Sequence, residues 1–293
     1  MAGAPPAELD LDERLVAQLI RDQFPEFARL DLSAPLNGWD NAMFRLGPEL
    51  VVRLPRRLLA APLIENEQRW LPVLAPRLSV AVPEPVRVGQ PTSYYPWSWS
   101  IVPWGRGAPL SATSVHARGA AVEGIVQFLT ELHTPAPADA PANPVRGVPL
   151  ETRDAVLRGR LAGGLVPRAH ELLARWDTLS TRPGWPHPPV WLHGDLHPAN
   201  LLTLDGRLSA VIDFGDITSG DPATDLSMAW LTFDAADRAR LLAAVGDHGD
   251  PFLFARAEAW AILIATAFAT FSDDNPAMAA IGDHAIRQLL GEA

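Results

Sequence analysis

The stretch from Trp191 to Asp216 constrains the fold more than any other part of the chain. It reads Trp191-Leu192-His193-Gly194-Asp195-Leu196-His197-Pro198-Ala199-Asn200, then two apolar runs, Leu201–Leu204 and Leu208–Ile212, and then Asp213-Phe214-Gly215-Asp216. Asp205-Gly206 between the runs is the residue pair that two-residue hairpin turns demand, because both positions need positive φ. A hairpin here returns Asp213 to the loop that carries Asp195 and Asn200. Three oxygen-bearing side chains then stand on two loops at the ends of adjoining strands. A carboxylate, an amide oxygen and a second carboxylate are hard ligands suited to magnesium carrying phosphates. A carboxylate left outside the metal shell can orient and deprotonate an attacking hydroxyl.

Around this stretch the chain changes character once. Leu9 to Phe24 has helical spacing at Leu11, Leu15, Leu19 and Ile20. Leu30–Leu36, Ala42–Leu46 and Leu50–Leu54 read as strands, and Leu58–Leu78 as a helix with Pro62 near its start. Val86–Val88 and Trp97–Val102 complete an antiparallel sheet crossed by one helix. After Pro103-Trp104-Gly105-Arg106-Gly107 helices dominate. Val115–His133 is a strongly striped helix, Thr134–Pro149 a Pro/Ala-rich loop, Thr152–Leu161 and Val166–Leu179 two further helices, and the chain is helical from Ala223 on. The expected organisation is therefore residues 1–103, a hinge at 104–108, and residues 109–293, with no internal repeat.

Composition removes several chemistries. The 293 residues include no cysteine, and all 24 basic residues are arginine. There is no thiolate nucleophile, no lysine Schiff base and no Walker A loop, whose Gly-Lys-Ser/Thr ending cannot be written. A net charge of −10 argues against nucleic-acid binding and suits a cationic small molecule. The first residues carry no signal-peptide pattern. The longest apolar run, Ala259–Phe271, is about 13 residues against the roughly 20 of a bilayer span. It reads as a buried helix, so a soluble, cytoplasmic protein without membrane or nucleic-acid partners is expected, its oligomeric state open.

The spacing His-x-Asp-x4-Asn followed by Asp-Phe-Gly matches the phosphoryl-transfer residues of protein kinases. Together, His193 to Asn200, Ile212-Asp213-Phe214-Gly215-Asp216 and Gly220-Asp221-Pro222-Ala223-Thr224-Asp225-Leu226 resemble the aminoglycoside phosphotransferase family, over nearly the whole chain. The resemblance implies an α+β, two-lobed protein-kinase-like fold, with a small antiparallel β-rich N-lobe and a larger, mostly helical C-lobe. It implies phosphorylation of a substrate hydroxyl by ATP, GTP not being excluded, with Asp195 as catalytic base and Asn200 and Asp213 holding Mg2+. His193 and His197 then brace the loop, with Pro198 stiffening its turn. Asp221 and Asp225 resemble the family's structural aspartates, which cap the next helix and anchor the catalytic loop.

On the nucleotide side, Asn37-Gly38-Trp39-Asp40-Asn41 lies where kinases cover the phosphates with a glycine loop, but holds one glycine rather than three. The Gly38 backbone and the Asn41 side chain are the candidates for phosphate oxygens. The family's phosphate-gripping lysine falls at Arg53 here, a departure that keeps the charge but changes a compact ammonium to a planar fork. Glu67 is the expected partner of Arg53, ahead of Glu65. Val102 to Gly105 is the expected adenine-binding hinge. Pro103 has no N–H to give, and Trp104 is the tryptophan best placed to line a pocket. Glu258, Trp260, Asp273 and Asp274 are candidates for holding a cationic acceptor. The competing reading makes them solvated helix faces and a helix start at Asp273-Asp274-Asn275-Pro276.

The chain is thus expected to be a small-molecule kinase acting on an aminoglycoside-like acceptor. The alternatives are a kinase of an amino alcohol or sugar, and a nucleotide-binding pseudokinase suggested by Arg53 and the poor glycine loop.

Overall fold

The computed structural model describes residues 6–292; the first five residues, part of the segment without a signal-peptide pattern, lie outside the described residues. The chain forms two compact units. Among the described residues, one comprises 6–77 together with 81–105, and the other 78–80 together with 106–292.

The smaller unit begins with helix α1 (Glu13–Gln23), later than the apolar spacing suggests, because Asp12 caps it by accepting the Leu15 N–H at 2.8 Å. Strands β1 (Leu36–Asn37), β2 (Asn41–Leu46), β3 (Leu50–Pro55), β4 (Arg87–Gly89) and β5 (Trp99–Pro103) form an antiparallel sheet ordered β1-β2-β3-β5-β4. The strand expected over Leu30–Leu36 is largely absent. Only a single bridge, Leu32 to Leu46, and β1 itself pair there. Pro35 has no N–H for the ladder, and the Ser33 hydroxyl takes the Arg45 N–H at 2.9 Å. Helix α2 (Ala61–Leu74) buries Ile64, Glu67, Trp70, Leu71 and Leu74 on one face. The core joins Val16, Leu19 and Ile20 of α1 to Phe44, Leu54, Trp99 and Ile101 of the sheet. Gly89 is obligatory for that packing, since a Cβ there would lie 1.9 Å from the Trp99 indole.

The larger unit carries two small sheets, β6 (Ala108–Pro109) with β8 (Leu201–Leu204) and β9 (Arg207–Val211), and β7 (Val190–Leu192) with β10 (Thr218–Gly220). Asp205 and Gly206 join β8 to β9 with φ of 51° and 77°, the conformation a two-residue hairpin turn requires. The helix expected from Val115 to His133 is divided. Val115–Ala121 is wound as a 3-10 helix, and α3 (Val122–Leu132) is α-helical. Helices α4 (Asp154–Ala162), α5 (Ala169–Leu179), α6 (Ala223–Leu226), α7 (Met228–Thr232), α8 (Ala235–Val245), α9 (Leu253–Phe271) and α10 (Pro276–Leu289) follow. Among the described residues α9 is the one helix long and apolar enough to cross a membrane. It is buried along most of its length, packed by α10, α6, α5 and α4, and is the core helix of this unit.

An arginine secures α9 to the rest. Arg256, 2% exposed, reaches Asp221 at 2.5 Å, Asp250 at 2.6 Å and the Pro183 carbonyl at 2.9 Å. Asp221 also accepts the Ala223 N–H at 3.0 Å and so starts α6. The α6 turn presents Asp225, 0% exposed, to the catalytic-loop candidates.

Candidate active site

The loop between β7 and β8 is held by Asp225 of α6 and by its own polar residues. The Asp225 carboxylate accepts the His193 N–H on one oxygen and the Gly194 N–H on the other, both at 2.9 Å. His133 Nε2 adds a third contact at 3.1 Å. Gly194 has φ of 88°, and a Cβ there would meet the Asp216 carbonyl oxygen at 2.3 Å, so no other residue fits. The His193 ring is wholly buried. Its Nδ1 accepts the Asp195 N–H at 3.2 Å, which leaves Nε2 to carry the hydrogen and donate to the Ile212 carbonyl at 3.0 Å. His193 therefore ties the two loops together and does not face a reacting group. His197 packs its ring edge on Phe268 and lies 3.2 Å from Asn200 Nδ2.

These braces gather Asp195, Asn200 and Asp213. Asn200 Nδ2 donates to the Asp195 carbonyl at 3.0 Å, so Oδ1 is the end of the amide left for a cation. The Asn200 carbonyl accepts the Ile212 N–H at 3.0 Å, which fixes the start of the second loop. On the other side of Asp213, Phe214 is fully buried between His193 (4.5 Å) and Phe128 (6.4 Å). Held at both neighbours, Asp213 adopts φ of 65°, a left-handed conformation uncommon for a residue with a Cβ and typical of functional sites.

Two polar neighbours escape sequence reading. Arg146, from the loop between α3 and α4, places Nη2 at 2.9 Å from Asp195 Oδ1 and Nε at 3.7 Å from Asp216 Oδ2. Asn143 donates to Asp216 Oδ1 at 2.7 Å. Burial would raise the Asp195 carboxyl, but Arg146 and His197 outweigh it and hold the group well below the usual carboxylate range. Burial raises Asp216, and the nearby charges of Asp195 and Asp213 reinforce the shift against the pull of Arg146. Nothing in the Pro/Ala-rich composition of this loop signals the contact; the cue is Asn143 three residues before Arg146, the spacing of an Asx turn.

In the smaller unit, Arg53 and Glu67 form a bidentate pair, Nη1 to Oε2 at 2.5 Å and Nη2 to Oε1 at 3.0 Å. Both side chains are buried, whereas Glu65 is exposed. The Gly38 N–H is engaged within the β1–β2 turn, donating to the Asn41 carbonyl at 2.9 Å. That corrects the expectation of a backbone phosphate donor at Gly38 in this conformation. Asn41 is 8% exposed with its Oδ1 unpartnered, so its amide remains a candidate. Two further arginines hold the turn, Arg56 on the Gly38 carbonyl (2.8 Å) and Arg57 on Asp40 (2.6 Å). The dibasic end of β3 was their only signal. Val102 lies in β5 opposite Val51 with its side chain in the core, and pairing with β4 stops at Ile101. Trp104 stacks on Arg45 at 4.1 Å, and its backbone N–H donates to the Glu49 carbonyl at 2.7 Å.

The acceptor candidates fare differently. Trp260 is 0% exposed and belongs to the core, which corrects its reading as a substrate contact: α9 is apolar on nearly every face. Glu258 is ion-paired with Arg175. Asp273 and Asp274 are exposed in the turn before α10, and Asn275 rather than either aspartate caps that helix. No described contact joins any of these four to Asp195.

A site of this kind, with a braced His-x-Asp loop, an Asn five residues on and a strained Asp before a buried Phe, on an α+β chain with a kinase-like fold, defines a small-molecule kinase. The model of the phosphotransferase enzyme family matches residues 31–260, and the chain belongs to this family, that of the aminoglycoside phosphotransferases. Similar solved structures include the GDP complex of wild-type aminoglycoside 2'-phosphotransferase-IIIa, at 18% identity and a TM-score of 0.73, covering 96% of this chain and 99% of that one. Macrolide 2'-phosphotransferase MphH from Brachybacterium faecium, an apoenzyme, shares 25% identity with a TM-score of 0.57, covering 94% and 97%. The streptomycin–ATP ternary complex of APH(2")-IIa shares 18% identity with a TM-score of 0.60, covering 95% and 97%. No curated protein sequence matches the chain.

Proposed function

We propose that this protein moves the γ-phosphoryl group of ATP or GTP to a hydroxyl of a small molecule, with Asp195 as the group that orients and receives the hydroxyl proton. The observation that carries the reading is the state of Asp195. Its carboxylate is about a quarter exposed and held at Oδ1 by Arg146, while its backbone carbonyl accepts a hydrogen bond from Asn200 Nδ2. An ionised carboxylate accepts hydrogen bonds only, so an alcohol approaching it must point its O–H at the carboxylate and its oxygen lone pair away. Catalysis of this kind is mostly positioning and charge neutralisation.

The donor set shared by the two loops fits magnesium. Asn200 Oδ1 and the Asp213 carboxylate are two hard oxygens, and magnesium bound on nucleotide phosphates takes few protein ligands. Such an ion would neutralise charge on the phosphates. The smaller unit contributes Arg53, fixed by Glu67, and Asn41 as phosphate-binding groups. The Arg53–Glu67 pair supports the kinase reading over the pseudokinase one.

For the acceptor, an aminoglycoside remains the first reading, on the net charge of −10 and the named substrates of the relatives. A macrolide is the second, favoured by Glu258 being consumed by Arg175 and Trp260 being buried, which removes two of the expected contacts for a cation. The test is turnover with Mg-ATP and Mg-GTP on a panel of aminoglycosides, macrolides, choline-like alcohols and sugars. At least one is expected to be phosphorylated, and Asp195→Ala to lower kcat at least about 100-fold. A folded protein that phosphorylates none of the panel, or an Asp195→Ala variant with wild-type turnover, overturns the reading.

A further inference from the structure

The backbone of Asp195 and its carboxylate are held by different parts of the chain. His193 Nδ1 takes the Asp195 N–H and Asn200 Nδ2 binds its carbonyl, so the catalytic loop fixes the main chain by itself. The carboxylate, by contrast, has one close partner, Arg146, 49 residues earlier in the sequence. His197 Nε2 stands farther off, at 3.5 Å from Oδ2.

Arg146 is delivered by a segment built for the purpose. Asn143 Oδ1 accepts the N–H groups of Val145 and Arg146 at 2.9 and 3.1 Å, an Asx turn that sets the direction of the Arg146 backbone. The Asn143 N–H goes to the Thr218 hydroxyl at 3.1 Å, and that hydroxyl donates to the Pro141 carbonyl at 2.8 Å. Gly147, with φ of 66°, donates to the Thr224 hydroxyl at 3.2 Å and lies so close to Gly220 that a Cβ on the latter would be 2.2 Å from the Gly147 carbonyl oxygen. The loop is thus clamped on β10 and α6, the elements that also carry Asp225 and the end of the Asp213 loop. The Arg146 side chain is about one-fifth exposed, and its buried Nε has no hydrogen-bond partner in the described structure.

The geometry points to Arg146 as a positioning residue for the transfer reaction: it aims the Asp195 carboxylate by holding Oδ1, and leaves Oδ2 for the acceptor hydroxyl. The same guanidinium spans to Asp216, so it also sets the spacing between the catalytic loop and the Asp213 loop. A carboxylate that turns freely about its side-chain torsions still binds a hydroxyl, but spends less time in the attacking geometry. Misplacement of about 1 Å is enough for a 100-fold loss in rate. The effect therefore falls on kcat, not on nucleotide binding.

The inference rests on the reading of Asp195 as the acceptor-orienting group, and the experiment separates the two. Arg146→Ala, Arg146→Gln and Arg146→Lys are compared with wild type in kcat and KM for the best acceptor of the panel, or in Mg-ATP hydrolysis with water as acceptor where none turns over. Nucleotide affinity is measured by calorimetry, and folding by thermal denaturation. Arg146→Ala and Arg146→Gln are expected to lose about 10- to 100-fold in kcat with nucleotide affinity within about twofold of wild type. Arg146→Lys, which retains a charge but not the fork, is expected to fall between. Millimolar guanidinium added to Arg146→Ala is expected to restore part of kcat, an effect a purely structural role would not give. Unchanged kcat in folded Arg146→Gln, or equal loss in kcat and nucleotide affinity without guanidinium rescue, overturns the proposal. Should Arg146→Ala not fold, Arg146→Lys and Arg146→Gln carry the same comparison. If Asp195→Ala retains turnover while Arg146→Gln loses it, the reading of Asp195 has failed instead.

Discussion

Asp225 supports the catalytic loop from below, and the change Asp225→Asn isolates that support. The substitution keeps volume and shape but replaces two acceptor oxygens with one acceptor and one donor. In the native arrangement Oδ2 receives His193 N–H and lies 3.1 Å from His133 Nε2, while Oδ1 receives Gly194 N–H. The best orientation of an asparagine keeps its oxygen toward His193 and His133 and turns its NH2 against the Gly194 N–H. One charge-assisted bond is then lost, and the remaining two become neutral ones. Hydrogen bonds to charged groups are worth about 1.5–3 kcal/mol and neutral ones about 0.5–1.5. The loss is therefore about 3–5 kcal/mol, since Asp225 is 0% exposed and water cannot replace the missing partner. For a unit of this size each kcal/mol shifts Tm by about 2–4 °C, so a drop of about 10 °C is expected. Differential scanning calorimetry is the assay of choice because it resolves separate transitions where a chain of two compact units does not unfold in one step. Asp274→Asn, in an exposed turn, is the matched control and should leave Tm unchanged. A fall of less than about 2 °C for Asp225→Asn would refute the reasoning, because it would mean that the three contacts contribute nothing net to the folded state.

Two other perturbations probe the buried Arg53 and His284. Arg53→Lys gives up one of the two bonds to Glu67 in a buried pair, so guanidinium denaturation should report about 1–3 kcal/mol of lost stability together with a changed nucleotide affinity; an unmoved midpoint and unchanged binding would place the phosphate grip elsewhere. His284 is pushed down to about 4 by burial, despite its contact with the Phe233 carbonyl, helped by Arg118, Arg287 and Arg238. Its folded value lies below the unfolded one, so the unfolded chain takes up a proton first. Stability is full above about pH 6.5 and falls as the pH drops towards 4, by about 3 kcal/mol from this group. His284→Gln should flatten that part of the stability–pH curve, and a wild-type slope in the variant would show that the acid sensitivity arises elsewhere.

What the sequence discloses about this site is what local spacing controls. The hairpin at Asp205-Gly206 was legible because only certain residues adopt its two positive φ values, and it carries Asp213 back to Asn200 through the Ile212 N–H. Asp225 and His193 were legible as braces through the family resemblance. Arg146 was not, because residues 134–149 have neither apolar periodicity nor charge pattern, and their course is dictated by Thr218 and Thr224, more than 70 residues later. Trp260 was misread for the opposite reason. On a helix that is apolar on nearly every face, periodicity does not say which side chains meet solvent. The first strand failed because Pro35 and the Ser33 hydroxyl both compete with the ladder, a local conflict visible only once the partner strand is known.

The absence of lysine, which looks like a compositional habit, has a structural counterpart at three places. Arg53 holds both oxygens of Glu67, Arg256 reaches Asp221, Asp250 and a carbonyl, and Arg146 lies between Asp195 and Asp216. The Arg53 and Arg256 contact sets need a planar fork that engages two acceptors in fixed directions, which a compact ammonium on a flexible stem does not supply, while Arg146 bonds Asp195 and faces Asp216 at longer range. A guanidinium has five N–H donors, of which the bidentate pair with Glu67 occupies two. An ammonium with three donors that gave two of them to the glutamate would keep one. If Arg53 grips a nucleotide as proposed, that grip depends on Glu67 for its direction. Glu67→Gln should consequently impair nucleotide binding through the altered aim of Arg53, and a variant with unaltered binding would show that the fork finds its direction without Glu67.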